Sequence, residues 1–403
     1  MTIDHHNHYN LCLGCMENKG DYQACPYCGY ELGTAPVSAH HLVPGTLLEN
    51  KYRLGRVLGQ GGFGITYIAW DQKLEMKLAI KEYFPQGMAA RTPGSAEVDN
   101  SSGEIKEQIT FGLQRFLNEA KTLARFAEHP NIVTVRDYFE GNSTAYLVMN
   151  YIDGVTLEQY LQLKGGRLSF NHCLEIIMPV FDALKEVHKT GILHRDISPD
   201  NIFIRKDGRV ILIDFGAARQ ELREKSKSLS VILKAGYAPE EQYRSRGKQG
   251  PWTDIYAVAA TMYRCITGEV PPEAMDRLDE DDMIVPSKLG VQIGPKQEHV
   301  LLKALAVKAK DRYQSVEELQ EAFIFRNAGM VESYEKPFAD NFTGKEKNDF
   351  FKVRGDMNKK EDFFKVEGKK KQYGWVKELS IKETPEQGML RKKLYHNERW
   401  SKF

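Results

Sequence analysis

The chain has 403 residues, 41% hydrophobic and 28% charged, with 56 Lys and Arg against 55 Asp and Glu. That length suits one large domain with appendages or two to three ordinary ones, and the apolar content excludes wholesale disorder. The even charge argues against a whole-chain binder of nucleic acid or of a membrane surface.

No apolar run approaches the ~18 residues of a bilayer span. The start, Met1-Thr2-Ile3-Asp4-His5-His6, lacks the basic and apolar regions of a signal peptide, so a cytoplasmic location is expected. Residues 1–32 carry four of the six cysteines, as Cys12-Leu-Gly-Cys15 and Cys25-Pro-Tyr-Cys28 with nine residues between the pairs. A two-residue spacer lets both sulfurs face one point, so two such pairs supply the four thiolates of a tetrahedral structural Zn²⁺ site. Gly14 and Gly29 suit the tight turns, and so short a segment would draw its folding energy from the metal. Two disulfides or redox pairs compete with this reading, though a redox pair expects a surrounding βαβ pattern that is missing. The segment resembles a small bacterial zinc ribbon. His5, His6 and His8 read as an exposed N-terminus, and Cys173 and Cys265 as core residues.

Residues 33–49 are punctuated by Pro and Gly and read as a linker. From 50 to 326 the pattern is globular. Alternating stretches predict strands over 52–58, 65–71, 78–83, 132–140 and 145–151, and helical periodicity follows over 170–190, 253–267 and 297–306. Strands first and helices later predict an α+β fold with a smaller sheet lobe and a larger helical lobe. Residues 327–403 are rich in charge and aromatics and read as a weakly ordered tail. It holds a near-repeat, Asp349-Phe-Phe-Lys-Val353 and Asp362-Phe-Phe-Lys-Val366, too few copies for a solenoid.

Within the globular part, Gly59-Gln-Gly61-Gly-Phe-Gly64 lies between two predicted strands. Glycines let backbone approach phosphates closely, and a strand-to-strand setting reads as a hairpin flap rather than a dinucleotide loop that opens a helix. Lys81 ends the next apolar strand at a spacing suited to α- and β-phosphates. Glu119, beside the apolar face Phe116, Ala120 and Leu123, is its candidate partner. His194-Arg195-Asp196 and Asn201 precede a strand that leads to Asp214-Phe215-Gly216. In this layout Asp196 takes the proton of an acceptor hydroxyl while Asn201 and Asp214 hold Mg²⁺. Ala238-Pro239-Glu240 closes the segment, with Arg312 as the expected partner of Glu240.

With these motifs in this order, residues 50–326 resemble the eukaryotic-like (Hanks-type) bacterial serine/threonine protein kinases. The resemblance implies the bilobal kinase fold and transfer of the γ-phosphoryl group of Mg-ATP to Ser or Thr of protein substrates, with autophosphorylation. It implies a nucleotide site of Leu58, Gly59, Gly61, Gly64, Lys81, gatekeeper Met149, hinge residues Asn150, Tyr151 and Ile152, and the metal-side Asn201 and Asp214. Asp254 would brace the catalytic loop. The chain departs from the pattern in three places: Ser198 replaces a lysine that contacts the γ-phosphate, the stretch from Lys81 to Glu119 is long, and Thr66 replaces valine. Restoring a lysine at 198 is therefore expected to speed the reaction. Ser226, Ser228 and Ser230, among Arg223, Lys225, Lys227 and Lys234, offer phosphorylation sites that Arg195 would read, or else a solvated basic loop. A pseudokinase scaffold acting through its zinc ribbon and tail, with a protein partner for either, and a small-molecule kinase remain as alternatives.

Overall fold

The computed structural model describes residues 10–100, 103–215, 233–244 and 246–325. Strands β1 (Leu47–Leu48), β2 (Tyr52–Gly61), β3 (Gly64–Asp71) and β4 (Met76–Tyr83) are followed by a small hairpin, β5 (Ala89–Ala90) with β6 (Asp99–Asn100). Helix α1 (Glu104–Leu123) then leads to β7 (Val135–Gly141) and β8 (Thr144–Asn150). Six of these strands form an antiparallel sheet in the order β1-β2-β3-β4-β8-β7. The five predicted strands all fall in this sheet, and α1 buries the predicted face of Phe116, Ala120 and Leu123.

The pleat of β4 explains how one strand serves two purposes. Successive side chains point to opposite faces. Leu78, Ile80 and Glu82 therefore share one side, where Leu78 and Ile80 join an apolar cluster with Leu54, Ile65, Tyr67, Tyr146 and Val148. Ala79, Lys81 and Tyr83 face the other way, toward the larger core.

The outer cluster is closed by chain that the sequence reads as connections. Leu42 and Leu48, from the expected linker, are buried in it, as is Val98 from the long stretch after Lys81. The Leu42 amide donates to the Tyr67 hydroxyl at 3.1 Å, and β1 pairs with β2. Pro and Gly broke the periodicity of residues 33–49, but isolated apolar residues there still found a sheet face to cover.

The second lobe is built from β9 (Gly154–Thr156), α2 (Leu157–Leu163), α3 (Phe170–Lys189), β10 (Ile202–Arg205), β11 (Val210–Leu212), α4 (Glu240–Tyr243), α5 (Pro251–Thr267), α6 (Asp276–Asp279), α7 (Pro295–Ala304) and α8 (Val316–Phe325). Local signals set the helix ends. Thr156 and Gln159 form a capping box on α2, and Ser169 accepts the His172 amide at the start of α3. Pro251 opens α5, and Gly268, at φ +85°, closes it in the left-handed region. Helices α3, α5 and α8 bury Val180, Phe181, Ile255, Met262, Leu319 and Phe323 in one core. Cys173 and Cys265 lie in that core, as expected. Gly216, Ser226, Ser228, Ser230 and the tail from 327 lie outside the described residues.

Candidate active site

The flap and its lysine follow from sheet register. Gly61 pairs with Gly64 across a tight turn, so the glycine run is a β2–β3 hairpin, and Lys81 on β4 lies opposite Thr66 on one side and Leu147 on the other. A Cβ at Gly64 would sit 2.4 Å from the Glu82 carbonyl oxygen, so only glycine fits this close crossing of strands. Met149 is buried on β8 opposite Ala79, with Asn150 ending the strand.

The loop between α3 and β10 carries the acid–base and amide groups. Asp254, wholly buried on α5, accepts the amides of His194 (2.8 Å) and Arg195 (2.7 Å) and bonds the His188 ring at 2.7 Å. Burial opposes its charge, yet the His188 hydrogen bond and the neighbouring imidazoles outweigh that and hold its carboxyl below the ordinary range. Arg195 sits at φ +68°, a strained conformation that these amide bonds hold in place. His194 bonds the Ile213 carbonyl at 2.9 Å and lies 4.5 Å from Phe215 with the rings tilted by 46°, and burial lowers its pKa.

From this braced loop, Asn201 donates through Nδ2 to both the backbone oxygen and Oδ2 of Asp196, each at 2.7 Å. Its own carbonyl accepts the Ile213 amide at 2.9 Å, tying the loop to the strand that delivers Asp214. Asp214, at φ +57°, pairs with Lys81 at 2.6 Å.

Lys81 thus pairs with Asp214, while Glu119, its expected partner, lies on α1. One expected partnership differs. The buried partner of Arg312 is Glu241 (2.8 and 3.1 Å), whereas Glu240 pairs with Arg244 one turn along. Adjacent helical residues point about 100° apart, so the phase of α4 brings Glu241 onto Arg312 and leaves Glu240 beside Arg244. Arg195, offered by the sequence as a phosphate reader, donates to Gln249 at 3.1 Å.

The four N-terminal cysteines are free thiols whose sulfurs lie within 4.8 Å of one another. Cys12 and Cys28 are 3.6 Å apart, and Cys15 and Cys25 are 3.7 Å apart. A tetrahedron of thiolates with Zn–S of ~2.3 Å has edges of ~3.8 Å. The Gly14 amide points at the Cys12 sulfur at 3.2 Å, and a Cβ on Gly14 would strike Tyr30 and the Cys28 sulfur.

This module is joined to the sheet. The Arg56 amide donates to the Leu13 carbonyl at 2.9 Å, Arg56 Nε donates to the Gly14 carbonyl at 2.7 Å, and Lys77 pairs with Glu17. Gly55 makes the contact possible, since a Cβ there would lie 2.3 Å from the Leu13 oxygen.

Comparison with known proteins fits this geometry. The family described as protein kinase domain matches residues 52–324, and the chain belongs to that family. It is 32% identical over 307 residues to serine/threonine-protein kinase PknB of Mycolicibacterium smegmatis, covering 73% of this chain and 45% of that protein. It is 30% identical over 286 residues to serine/threonine-protein kinase PknA of a Nostoc species, covering 68% of this chain and 47% of that one. The chain thus spans less than half the length of these relatives. A solved structure described as "PpkA-294 apo form" superposes with a TM-score of 0.63 at 36% identity, over 70% of this chain and 99% of that chain. No helix among the described residues is long and apolar enough to cross a membrane.

Proposed function

We propose that this chain is a Mg-ATP-dependent serine/threonine protein kinase whose catalytic domain spans residues 50–326. The observation that carries the reading is the hydrogen-bonded set of Asp196 with Asn201 and Lys81 with Asp214, joined through the Asn201–Ile213 backbone bond. Asp196 accepts the proton as the acceptor hydroxyl oxygen bonds to the γ-phosphorus and the bond to the departing ADP oxygen breaks. Lys81 holds the α- and β-phosphates beneath the Gly59–Gly61–Gly64 flap, adenine meets Leu58, Met149 and the hinge 150–152, and Glu119 steadies the lysine in the loaded enzyme. With its Nδ2 engaged by Asp196, Asn201 keeps its amide oxygen as an acceptor, and together with the Asp214 carboxylate it would hold a hard cation, a donor set suited to Mg²⁺. The ion, when bound, neutralises charge on the phosphates.

The test is transfer of labelled γ-phosphate from Mg-ATP to a generic acceptor protein, followed by phosphoamino-acid analysis. Label on Ser and Thr is expected. No transfer at all would favour a scaffold, and label confined to small hydroxyl compounds would favour a small-molecule kinase.

The Cys12, Cys15, Cys25 and Cys28 cluster is read as a structural Zn²⁺ ribbon, supported by sulfur spacings that match the edges of a thiolate tetrahedron. Exposed Tyr22, Tyr27 and Leu32 on this ribbon suit a protein partner, and the composition of the chain suits the cytoplasm. Elemental analysis is expected to find one zinc per chain. Chelation is expected to melt the N-terminal segment and release the Arg56 contacts on β2, read as new protease cleavage before residue 46 while the kinase domain stays resistant. Zinc-free protein with an uncleaved N-terminus would sink the assignment.

A further inference from the structure

The catalytic loop lacks the lysine that the family resemblance calls for, and Ser198 stands in its place, fully buried. A cation is nonetheless delivered there from elsewhere in the chain. Lys234 Nζ donates to Ser198 Oγ at 2.7 Å and pairs with Asp200 on the same loop. We infer that Lys234 supplies the γ-phosphate-facing positive charge of the transfer reaction, in place of the absent loop lysine. This rests on the kinase reading above.

Three observations carry the inference. The first is position: Ser198 lies two residues after Asp196, and a serine side chain extended by one 2.7 Å hydrogen bond ends near where a four-carbon ammonium stem from 198 would reach. The second is that Lys234 is held by a built turn. Its carbonyl accepts the amides of Tyr237 (3.0 Å) and Ala238 (3.1 Å), and Tyr237 is buried. Gly236, at φ +79°, has the Pro271 carbonyl oxygen where a Cβ would stand, at 2.4 Å, so the turn is seated on that backbone. The third is chemistry. Ser198 and Asp200 are both acceptors to the ammonium, and Lys has a third donor to offer to a phosphoryl oxygen. An ammonium aimed where charge develops stabilises the transition state more than the ground state.

The arrangement has a consequence for control. A lysine at 198 would be present whenever the loop is folded. Lys234 belongs to the stretch that starts at Asp214 and ends at α4, so the cation reaches the loop only when the end of that stretch is seated.

The sequence alone expects Ser198→Lys to accelerate the enzyme; with Lys234 already on that spot, two ammonium groups would compete for Asp200, and the single variant is expected to slow it. The test compares wild type with Lys234→Ala, Lys234→Arg, Ser198→Lys and the exchanged pair Ser198→Lys/Lys234→Ser. Lys234→Ala is expected to lower kcat on the order of 10²-fold with KM for ATP little changed, and Lys234→Arg to retain part of the rate. The exchanged pair is expected to recover most of what either single change loses, which separates a shared cation from two independent defects. Near wild-type kcat in Lys234→Ala, or an exchanged pair no better than the singles, would overturn the inference while leaving the kinase reading intact. A lower melting temperature with kcat of the folded fraction unchanged would overturn it as well, by reducing Lys234 to a structural contact. Absence of transfer by wild type would overturn both readings together.

Discussion

Asp196→Asn is expected to lower kcat by on the order of 10²–10⁴-fold, the usual contribution of a positioned general base, and to leave the melting temperature near wild type. The two halves of this expectation have separate causes. The carboxylate is the proton acceptor in the proposed transfer, and an amide has no comparable basicity. The loop, however, is not built on that carboxylate. It is fixed by Asp254, through the amides of His194 and Arg195, and by Asn201, one of whose bonds goes to the backbone oxygen of residue 196. An asparagine at 196 still presents an oxygen to Asn201 Nδ2. Lys81→Ala is expected to behave likewise with weaker nucleotide binding, since its carboxylate partner Asp214 is part-exposed and can be solvated. Labelled transfer beside a thermal melt checks both variants; a near wild-type rate in either would remove the catalytic assignment.

Much of this was legible in the sequence, because the chemistry uses residues close together along the chain. The glycine hairpin, Lys81, the loop from His194 to Asn201 and Asp214 are local patterns, and the alternation and periodicity around them located the strands and long helices. What escaped notice depends on three-dimensional phase or on distant partners. Glu240 and Glu241 are equivalent as letters, and only the rotation of α4 selects Glu241 for Arg312. Lys234 read as one cation in a basic loop, because its meeting with Ser198 joins residues 36 apart. The Cys-x-x-Cys pairs announced four sulfurs at one point, but Gly55 and Arg56 gave no sign that the module rests on β2, since neither residue type is unusual in a strand that begins a flap. Short elements such as α2 and β9 to β11 carry too few residues to show a period.

The least legible feature has the largest expected effect on stability. Arg91→Ala is expected to destabilise the fold by about 3–5 kcal/mol, because it strands a buried carboxylate. Glu82 follows Lys81 on β4 and points to the opposite face, where its side chain and that of Arg91 are fully shielded from solvent. One carboxylate oxygen accepts Arg91 Nη2 and the Tyr146 hydroxyl (3.0 Å), and the other accepts Arg91 Nη1 (3.2 Å) and the Tyr67 hydroxyl (3.0 Å). Arg91 also donates to the backbone oxygens of His40 (2.6 Å) and Ala96 (3.2 Å), so one guanidinium fastens the stretch before β1 and the stretch after β5 to the sheet. The bidentate pair is geometrically specific, and each partner is unaffordable alone in an apolar surround. Adding Glu82→Gln to Arg91→Ala is expected to restore part of the loss, because a neutral amide leaves no buried charge: its oxygen accepts from one tyrosine hydroxyl and its NH2 donates to the hydroxyl oxygen of the other. Denaturant titration of the two variants measures this, and a nucleotide-binding assay reports whether β4 still presents Lys81 correctly. A loss below about 1 kcal/mol for Arg91→Ala, the scale of a surface pair, would mean that water reaches Glu82 and that the pair does not set the position of Lys81.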